Sequence, residues 1–596
     1  FIADNIADMV PVTNPFLKEM METFLNVGGR KKVNRKGIFK GIDFDELGIN
    51  DVVDLLRQAN IEAVLRDFGN LNPQEDPVIH FYELFLKEYD PMMRMQRGVF
   101  YTPRPVVSFI VRSIDEILRN EFGLDDGLAD TTTWGEMIKR NNKIKLPNHT
   151  KPQDHFVQIL DPATGTGTFL VEVIDLIYYT MSSKWETEGN TSEKVTSLWN
   201  EYVPKHLLTR LYGFELLMAP YAIAHMKIGL KLAETGYLFM SEQRAQIFLT
   251  SSLEPHRDIG QWNLLCEALA HETKTANRVK KEVPITVVIG NPPYSKHSAN
   301  KGDWIKEILA TYKQEPSGGK LRERNSKWLN DDYVKFLRYG QYFVEKNGEG
   351  ALVYISNNGF LDNPTFRGMR WNLLQTFNDI YVIDLHGNSK KKEVCPDGLP
   401  DKNVFDIQQG VSINLFVKKE GKKKNKLATV YHADVYGERN KKYNCLRSNN
   451  ISSIIFKKIE NIAPYYFFVP KNFMNESEYK KGFKLDDCFL KNSTGYYTSC
   501  DAVVLSSCRR ELHNQVKNAL PREEDFDDSL IRITTYRPFD NKYIYYDTNL
   551  ITRSRHRFVS NIALETNFIL VCGKSTKSKA INHFFISKYF TELKCG

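Results

Sequence analysis

The stretch Ile289-Gly290-Asn291-Pro292-Pro293-Tyr294-Ser295 follows an apolar run, residues 285–289, that is typical of a buried strand. Gly290 ends this strand, and the two prolines restrict the backbone that follows. The Asn291 side-chain oxygen and the Pro292 carbonyl can each accept a hydrogen bond from an exocyclic amine, while the Tyr294 ring can stack on a flat heterocycle. A plain loop with two prolines is the alternative, so the short match needs support from the rest of the chain.

A glycine-rich turn upstream gives such support. A strand predicted over residues 156–160 leads into Asp161-Pro162-Ala163-Thr164-Gly165-Thr166-Gly167-Thr168-Phe169-Leu170, and a helix is predicted from residue 168 to residue 179. Glycines between a strand and a helix let the backbone approach a ligand closely. The dinucleotide pattern GxGxxG is not met, because no third glycine is in register. The charge of Asp161 favours a ligand with ammonium and sulfonium groups over a pyrophosphate.

Two later strand ends offer further ligand contacts. Glu215 ends a strand predicted over residues 210–214 and can accept the hydroxyls of a ribose. Its distance from Asp161 in the sequence exceeds the usual ~20 residues, which predicts an insertion over residues 181–205 after the first helix. A third strand, residues 247–250, ends at Ser251-Ser252, where an Asp or Asn would suit an adenine edge better.

Helices and strands continue to alternate beyond Tyr294. Helices are predicted over residues 331–344 and 367–377, and strands over residues 350–355, 380–385 and 411–417. This alternation predicts a doubly wound, Rossmann-like α/β sheet with its ligand sites at the carboxyl ends of the strands. Residues 123–155 are polar and irregular and are predicted to be a surface insertion.

The chain divides by composition into three predicted domains. Residues 1–95 are predicted to be a helical connector, residues 96–418 the α/β domain, and residues 419–596 a mixed α/β recognition domain that begins after a lysine-rich run. Residues 418–596 contain 32 basic and 19 acidic residues, a net charge of +13, whereas residues 1–417 sum to −5. A basic C-terminal third indicates a polyanion as partner, with a solvated basic surface as the alternative.

Arginine and tyrosine interleave in this C-terminal third. The runs Tyr536-Arg537-Pro538-Phe539-Asp540 and Arg553-Ser554-Arg555-His556-Arg557 suit phosphate contacts, guanine edges and base stacking. The candidate DNA-binding residues are Arg537, Arg553, Arg555 and Arg557.

Composition excludes several classes of protein. Hydrophobic content of 42% and charged content of 26% are ordinary for a globular protein, and no apolar run approaches the ~20 residues of a membrane span. The eight cysteines form no CxxC pair and no regular framework, which predicts a reducing cytoplasm. No metal site is predicted. Gly573-Lys574-Ser575-Thr576 lacks the earlier glycine of a phosphate loop, since position 568 is Phe. A chain that begins at Phe1 is expected to be part of a longer polypeptide.

Taken together, these motifs resemble those of the gamma-class DNA adenine-N6 methyltransferases. The resemblance is greatest to the methyltransferase and target-recognition part of single-chain Type ISP and Type IIG restriction–modification enzymes. Residues 98–103 are similar to the family's first cofactor motif, residues 161–169 to its glycine-rich motif, Glu215 to its ribose acid, and residues 291–294 to its catalytic loop. Residues 536–540 are similar to part of its recognition region. The departures are the long insertion before Glu215 and the missing acid near Ser251.

The resemblance implies transfer of a methyl group from S-adenosyl-L-methionine to the N6 amine of an adenine that has swung out of double-stranded DNA. It implies a catalytic set of Asn291, Pro292, Pro293 and Tyr294, with Tyr294 and Phe405 stacking on the base. The implied cofactor contacts are Tyr101, Thr102, Asp161, Ala163, Gly165, Gly167, Phe169, Glu215, Ser252 and Asn291. It also implies nuclease and translocase domains elsewhere in a parent polypeptide. Methylation of RNA or of protein glutamine, and a recognition module without activity, remain alternatives.

Overall fold

The computed structural model describes residues 102–237, 243–255, 267–294, 298–323, 326–422, 426–489, 491–562, 567–572 and 584–595, together with strand pairs at 32–33 and 39–40. The chain forms two compact units, Phe1–Lys471 and Asn472–Gly596. The predicted helical connector lies outside the described residues, apart from those two short strands, which pair antiparallel.

The strands, in chain order, are β1 (Lys32–Val33), β2 (Phe39–Lys40), β3 (Ile159–Asp161), β4 (Leu211–Glu215), β5 (Gln246–Leu249), β6 (Val287–Gly290), β7 (Gly350–Asn357), β8 (Asp379–Asp384), β9 (Val411–Lys418), β10 (Thr429–Asp434), β11 (Lys457–Ile459), β12 (Leu505–Ser506), β13 (Ile531–Arg537), β14 (Asp540–Tyr545), β15 (Ile569–Cys572) and β16 (Phe584–Ser587).

The α-helices are α1 (Arg104–Phe122), α2 (Trp134–Arg140), α3 (Thr168–Thr187), α4 (Ser192–Tyr202), α5 (Met218–Glu234), α6 (Glu267–Glu282), α7 (Asp303–Leu309), α8 (Asp332–Asn347), α9 (Arg367–Thr376), α10 (Arg439–Ser448), α11 (Glu476–Tyr479), α12 (Leu485–Cys488), α13 (Asp501–Val504), α14 (Arg509–Ala519) and α15 (His556–Ile562). Within the described ranges, no helix has the length and apolar character that a membrane span requires.

The first unit is built on one nine-stranded sheet with the order β11-β10-β8-β9-β7-β6-β3-β4-β5. The run from β7 through β6, β3 and β4 to β5 is parallel, whereas β9 is antiparallel to both of its neighbours, β7 and β8. The sheet is therefore mixed, and the predicted α/β class is confirmed. Because the parallel strands share a direction, the loops that follow β3, β4, β5 and β6 lie along one edge.

Helices cover both faces of this sheet, as the packing of β6 shows. Val287 and Ile289 pack in one core with residues of α1, α3 and α5. Val288 points to the opposite face and packs in a second core with residues of α8 and α9. Successive side chains of a strand alternate between faces, so an unbroken apolar run is what a strand buried on both sides requires.

The two predicted insertions are packed helical segments. Residues 123–155 contain α2, which begins at the fully buried Trp134, so the prediction of a surface insertion is wrong for the part up to α2, whereas residues 141–155 are irregular and mostly exposed, as predicted. Between residues 181 and 205, α3 continues to Thr187 and is followed by α4, whose buried Trp199 donates a hydrogen bond to Thr235 Oγ1 at 2.9 Å. Polar residues on the outer faces of these helices hid the few large apolar residues that face the core.

The sheet of the first unit continues past the lysine-rich run at 418–426. Both β10 and β11 belong to it, and the Lys422 ammonium group donates to the Leu374 carbonyl at 2.7 Å, so this run connects β9 to β10, which lie on either side of β8. The predicted limits of the three domains stay a prediction, but the compact unit ends at Lys471.

The second unit is a small mixed α/β body. Strands β12, β14 and β13 form a three-stranded antiparallel sheet, and β15 pairs with β16. Leu512 and Val516 of α14 are fully buried in its core with Ile544 of β14. A 125-residue unit of this kind has room for one small core, and most of its arginine side chains remain at the surface.

Candidate active site

The Asn-Pro-Pro-Tyr turn begins directly after β6 at the edge where the parallel strands end. The Asn291 side chain is half-buried, and its Nδ2 donates a hydrogen bond to Thr102 Oγ1 at 2.9 Å. Thr102 lies 189 residues earlier in the chain, just before α1. Because the amide nitrogen is engaged, this bond decides which way the amide oxygen faces. Thr102, predicted as a cofactor contact, therefore orients the amide of Asn291.

Tyr294 completes a short hydrogen-bonded chain. Its hydroxyl lies 2.7 Å from Asn291 Oδ1, to which it donates, and 3.2 Å from the carbonyl oxygen of Ile355 in β7. Its ring meets that of Tyr333 edge-on, with centroids 6.4 Å apart. Burial raises the pKa of the Tyr294 hydroxyl well above its ordinary value, and the Asp331 carboxylate adds to the rise. An incoming amine that binds Asn291 Oδ1 must therefore share it with the tyrosine hydroxyl or displace that hydroxyl.

Asp161 ends β3, the neighbour of β6, and its carboxyl group is fully buried. Its Oδ1 accepts a hydrogen bond from the Ala163 backbone N–H at 3.0 Å, and its Oδ2 has no hydrogen-bond partner among the described residues. A Cβ at Gly290 would lie 2.8 Å from Asp161 Oδ1. Only glycine therefore lets this carboxyl lie against the backbone that leads into Asn291. The glycine-rich turn and the Asn-Pro-Pro-Tyr turn are neighbours in one site.

The charge state of Asp161 reflects its surroundings. Burial raises the pKa of its carboxyl to about 8, and the nearby Glu215 carboxylate contributes to the rise. An anion here lacks solvent and has one oxygen without a donor, so a cationic ligand group at Oδ2 would stabilise the charged form.

Glu215 ends β4 and braces the glycine-rich turn. Its Oε2 accepts from the Gly165 backbone N–H at 2.8 Å, and its Oε1 accepts from the N–H groups of Leu216 and Leu217 at 2.9 and 2.8 Å. Burial raises the pKa of the Glu215 carboxyl, while these backbone donors oppose the rise. Oε2 retains a lone pair, so the carboxylate can still accept a hydroxyl group of a ligand at this edge.

The other predicted cofactor residues differ in what they offer. Gly167 has φ +82° at the start of α3, and a Cβ there would lie 3.2 Å from the Cβ of Ala224, so this glycine lets α3 approach α5. The Phe169 side chain is only 4% exposed and belongs to the core, which limits it to positioning the turn. The Ser252 hydroxyl donates to the carbonyl oxygen of Pro162 at 2.5 Å and thus ties the third strand end to the glycine-rich turn.

One further predicted residue, Phe405, is not brought to the site as an accessible group. Phe405 is 4% exposed and packed in the core, and its carbonyl oxygen accepts from Arg439 at 3.1 Å. A stacking role for its ring stays a prediction, and it requires the ring to leave the core. Tyr101 lies outside the described residues, as does the Gly573–Thr576 segment.

The structure adds residues around Asp161 and Tyr294 that the sequence did not indicate as part of the site. Tyr354 in β7 is fully buried beside Asp161, its hydroxyl has no hydrogen-bond partner among the described residues, and its pKa is raised well above the ordinary value by burial and by the Asp161 carboxylate. The Ile355 carbonyl and the Tyr333 ring hold Tyr294. A tyrosine or an aliphatic residue in an apolar strand carries no functional signal, so no reading of the sequence could have found them.

The predicted DNA-binding residues of the second unit fall into two groups. Arg537 donates to Glu592 Oε2 at 2.7 Å and its guanidinium lies 3.9 Å from the centre of the Tyr536 ring. Glu592 is only 4% exposed. A charge held by a buried partner is a structural ion pair first, so the predicted role of Arg537 as a DNA contact stays a prediction.

Residues 553–557, here called the basic loop, lead into the first turn of α15 and expose the side chains of Arg553, Arg555 and Arg557. The backbone of the loop is held by two contacts, because the Tyr546 hydroxyl donates to the Ser554 carbonyl and Arg553 makes a backbone bridge to Tyr497. Arg555 has φ +58°, an unusual conformation for a residue with a side chain. Three exposed arginines on a segment held by these backbone contacts suit phosphate contacts.

Two family models match the chain. Residues 211–390 match the Eco57I restriction-modification methylase family, and residues 472–596 match the Type ISP C-terminal specificity domain. The first match contains Glu215 and the Asn-Pro-Pro-Tyr turn, and the second coincides with the second compact unit. The predicted resemblance to restriction–modification methyltransferases is confirmed. No curated protein matches the chain.

Solved structures share the fold at low sequence identity. A complex of DrdV with DNA, determined by cryo-electron microscopy, is 22% identical with a TM-score of 0.57, covering 87% of this chain and 50% of the other. The Type ISP enzyme LlaBIII bound to DNA is 23% identical with a TM-score of 0.55, covering 80% and 31%. A nuclease-deletion mutant of the Type ISP enzyme LlaGI with a DNA substrate mimic is 19% identical with a TM-score of 0.58, covering 97% and 48%. This chain thus spans half or less of the length of these proteins.

Proposed function

We propose that this chain, which contains a restriction–modification methylase domain followed by a Type ISP specificity domain, methylates the N6 amine of an adenine in double-stranded DNA with S-adenosyl-L-methionine as methyl donor. We further propose that it works within a longer restriction–modification polypeptide with nuclease and translocase domains. The family matches at residues 211–390 and 472–596 support the reaction class. The finer assignment to adenine rests on the site.

One observation carries this assignment. The Thr102–Asn291–Tyr294 hydrogen-bonded chain lies beside the buried carboxyl of Asp161, at the edge where the parallel strands end. Asn291 Oδ1, whose direction is fixed, and the neighbouring Pro292 carbonyl can accept hydrogen bonds from the two N–H groups of one NH2. The Tyr294 ring lies beside them and can stack on a planar base.

The residues present fit the proposed cofactor. The unpaired Oδ2 of Asp161 suits an ammonium group, and Glu215 at the next strand end suits ribose hydroxyls. The backbone at Gly165 has open space where a side chain would be, since a Cβ there would meet only one atom, at 4.0 Å. When bound, S-adenosyl-L-methionine supplies a methyl group on a positively charged sulfur.

The chain's own residues then act on the target base. Asn291 Oδ1 and the Pro292 carbonyl accept hydrogen bonds from the adenine amine, which draws its nitrogen towards sp3 geometry and stabilises positive charge as it develops. Tyr294 gives up its bond to Asn291 and holds the base by stacking. Thr102 keeps the amide from rotating. Position and orientation supply much of the rate, and no covalent enzyme intermediate is needed.

The test is transfer of a labelled methyl group to duplex DNA, with RNA and bulk protein as competing acceptors. Nucleoside mass spectrometry should find N6-methyladenine as the product. Asn291→Ala should lose on the order of 10² or more in kcat while binding S-adenosylhomocysteine normally. Label in RNA, in protein glutamine or in cytosine would contradict the proposal, and near-normal turnover of Asn291→Ala would remove Asn291 from the mechanism.

A protein that binds duplex DNA but neither binds S-adenosylhomocysteine nor transfers label would instead be a recognition module. Sequencing methylated bases in host DNA that carries the intact gene would then report both the modified atom and the recognition motif.

A further inference from the structure

A second group of polar side chains lies at the carboxyl ends of β8 and β10, which are three and four strands from β6 in the sheet. Asp384 and Asp434 are paired in register across these two parallel strands. His432 precedes Asp434 by two positions and so lies on the same face. One ligand atom from each of these three residues lies within 4.8 Å of the other two. The methyl-transfer site uses none of them.

Each aspartate has one oxygen held by hydrogen bonds, while its other oxygen lies only within longer ion-pair distance of a histidine, as Asp384 Oδ2 does at 3.8 Å from His386 Nδ1. Asp384 Oδ1 accepts from Asn358 Nδ2 and from the His386 backbone N–H, both at 3.0 Å. Asp434 Oδ1 lies 2.9 Å from His386 Nε2. In the described part of the chain, no hydrogen bond reaches Oδ2 of either aspartate. Both carboxylates are therefore oriented by neighbours, with one oxygen of each left for another partner.

The third member, His432, is an imidazole buried without a hydrogen-bond partner. It is 2% exposed, and its Nε2 is unsatisfied among the described residues. Its Nδ1 faces the cluster and lies 3.7 Å from Asp434 Oδ2, which is too far for a hydrogen bond. That spacing is close to the roughly 3.4 Å between two ligands of a tetrahedral ion with bonds of about 2.1 Å.

From this geometry we propose that Asp384, His432 and Asp434 bind one divalent transition-metal ion, Zn²⁺ or Mn²⁺. Two carboxylate oxygens and one imidazole nitrogen form a ligand set that such ions accept. His386 and Asn358 serve as the outer groups that orient ligating carboxylates. Asp434 is 39% exposed at its side chain, which leaves a route for the ion and a position for water.

Charge supports an added cation. The group contains three formal carboxylates, those of Asp384, Asp434 and Glu393, and one imidazole, that of His386, that contacts carboxylates on both sides. Even with this ring protonated the formal charge is −2, in a site where Asp384 is 5% and His432 2% exposed. A divalent ion would neutralise it.

The ion would fix a lysine-rich segment that follows β8 at this end of the sheet. Glu393 lies 2.9 Å from His386 Nδ1, so the segment from His386 to Glu393 is tied at both ends to the ligand cluster. Its three consecutive lysines, Lys390, Lys391 and Lys392, are exposed. The metal is thus assigned a structural role, and this inference does not depend on the methyl-transfer activity.

The experiment measures metal in the full-length protein, produced without a histidine tag. Bound metal is quantified by mass spectrometry before and after dialysis against a chelator. Zn²⁺ and Mn²⁺ are then titrated calorimetrically into the stripped protein, Tm is followed in parallel, and Co²⁺ is added to read its visible absorption bands. The variants are Asp434→Asn and His432→Gln. The matched control is His206→Ala, which breaks the His155–His206 contact of 3.0 Å elsewhere in the fold.

We expect one equivalent of tightly bound metal, a lower Tm after stripping, and affinity reduced at least ~100-fold in Asp434→Asn and His432→Gln. The metal content and the metal affinity of His206→Ala should match those of the wild type. Asp434→Asn keeps the side-chain shape at a partly exposed position, so it decides if His432→Gln does not fold. Wild-type protein that binds no metal and has the same Tm with and without chelator would overturn the proposal. Loss of the tight equivalent in His206→Ala would do the same.

Discussion

Replacing Asp161 by asparagine tests the site through stability and ligand binding together, with opposite signs. The carboxyl group is fully buried, and its pKa is raised from 3.8 to about 8. The folded protein therefore keeps this proton up to about pH 8, whereas the unfolded chain releases it near pH 4. Without cofactor, the folded state loses stability as pH rises between these values. The amide introduced by Asp161→Asn cannot titrate and should remove this loss.

The magnitude follows from the size of the shift. One pKa unit corresponds to about 1.4 kcal/mol, so between pH 5 and pH 8 the wild-type free energy of unfolding should fall by about 3 to 4 kcal/mol relative to the variant. The asparagine side chain can keep the bond from the Ala163 N–H. Its amide nitrogen replaces the unpaired oxygen and costs about 1–3 kcal/mol at every pH. The change in slope, not the absolute stability, is therefore the quantity to compare.

The assay is urea unfolding of both proteins at several pH values from 5 to 8 without cofactor, with Asp125→Asn as control because Asp125 is exposed. Calorimetry with S-adenosylhomocysteine at pH 7.5 should show affinity reduced roughly 10- to 100-fold in Asp161→Asn, the loss of a charged hydrogen bond. Parallel pH profiles for wild type and Asp161→Asn would refute the reasoning about burial. A changed profile with unchanged ligand affinity would keep the buried acid but remove it from the cofactor site.

Three further predictions concern Thr102, Tyr294 and the arginines of the second unit. Thr102→Val should lower kcat by roughly 10-fold or more, because the Asn291 amide loses the acceptor that orients it. Thr102→Ser keeps a hydroxyl and should retain most of the wild-type rate. Equal losses of kcat in both variants would contradict orientation by the hydroxyl. Tyr294→Ala should lower the fluorescence change of a 2-aminopurine target and weaken base binding, whereas Tyr294→Phe, which frees the acceptor on Asn291, should retain stacking; an unchanged signal in Tyr294→Ala would argue against stacking. Replacing the three arginines of the basic loop by glutamine should weaken DNA binding and reduce the slope of log K against log salt concentration by up to about 3, with Tm unchanged. Arg537→Gln should instead lower Tm. A loss of DNA affinity without a change in Tm for Arg537→Gln would show that Arg537 contacts DNA and is not a structural ion pair.

Several features of this protein are determined by the sequence alone. The apolar run before Gly290 is uninterrupted because β6 is buried on both faces, and that pattern is local. The turn residues at Asp161–Gly167 and at Asn291–Tyr294 are also local, since they reflect backbone conformations that few residues adopt. For this reason the α/β class and most strand positions could be predicted from the sequence, whereas the membership of the site stays a prediction.

The tertiary structure decided the contacts between distant residues. The bond from Asn291 to Thr102 spans 189 residues, and the contact of Asp161 with the backbone at Gly290 depends on β3 and β6 being neighbours in the sheet. The ion pair of Arg537 with Glu592 gives Arg537 a structural role that the exposed arginines of the basic loop do not have, although all four residues are arginines in runs of similar composition. Residues 127–137 fold inward because a few large apolar side chains, Trp134 among them, outweigh the polar ones around them. The Asp384–His432–Asp434 cluster shows the same limit, since its members come from two strands that are adjacent only in the folded sheet. A sequence records which residues favour a local conformation, but the packing of strands and helices determines which of them meet.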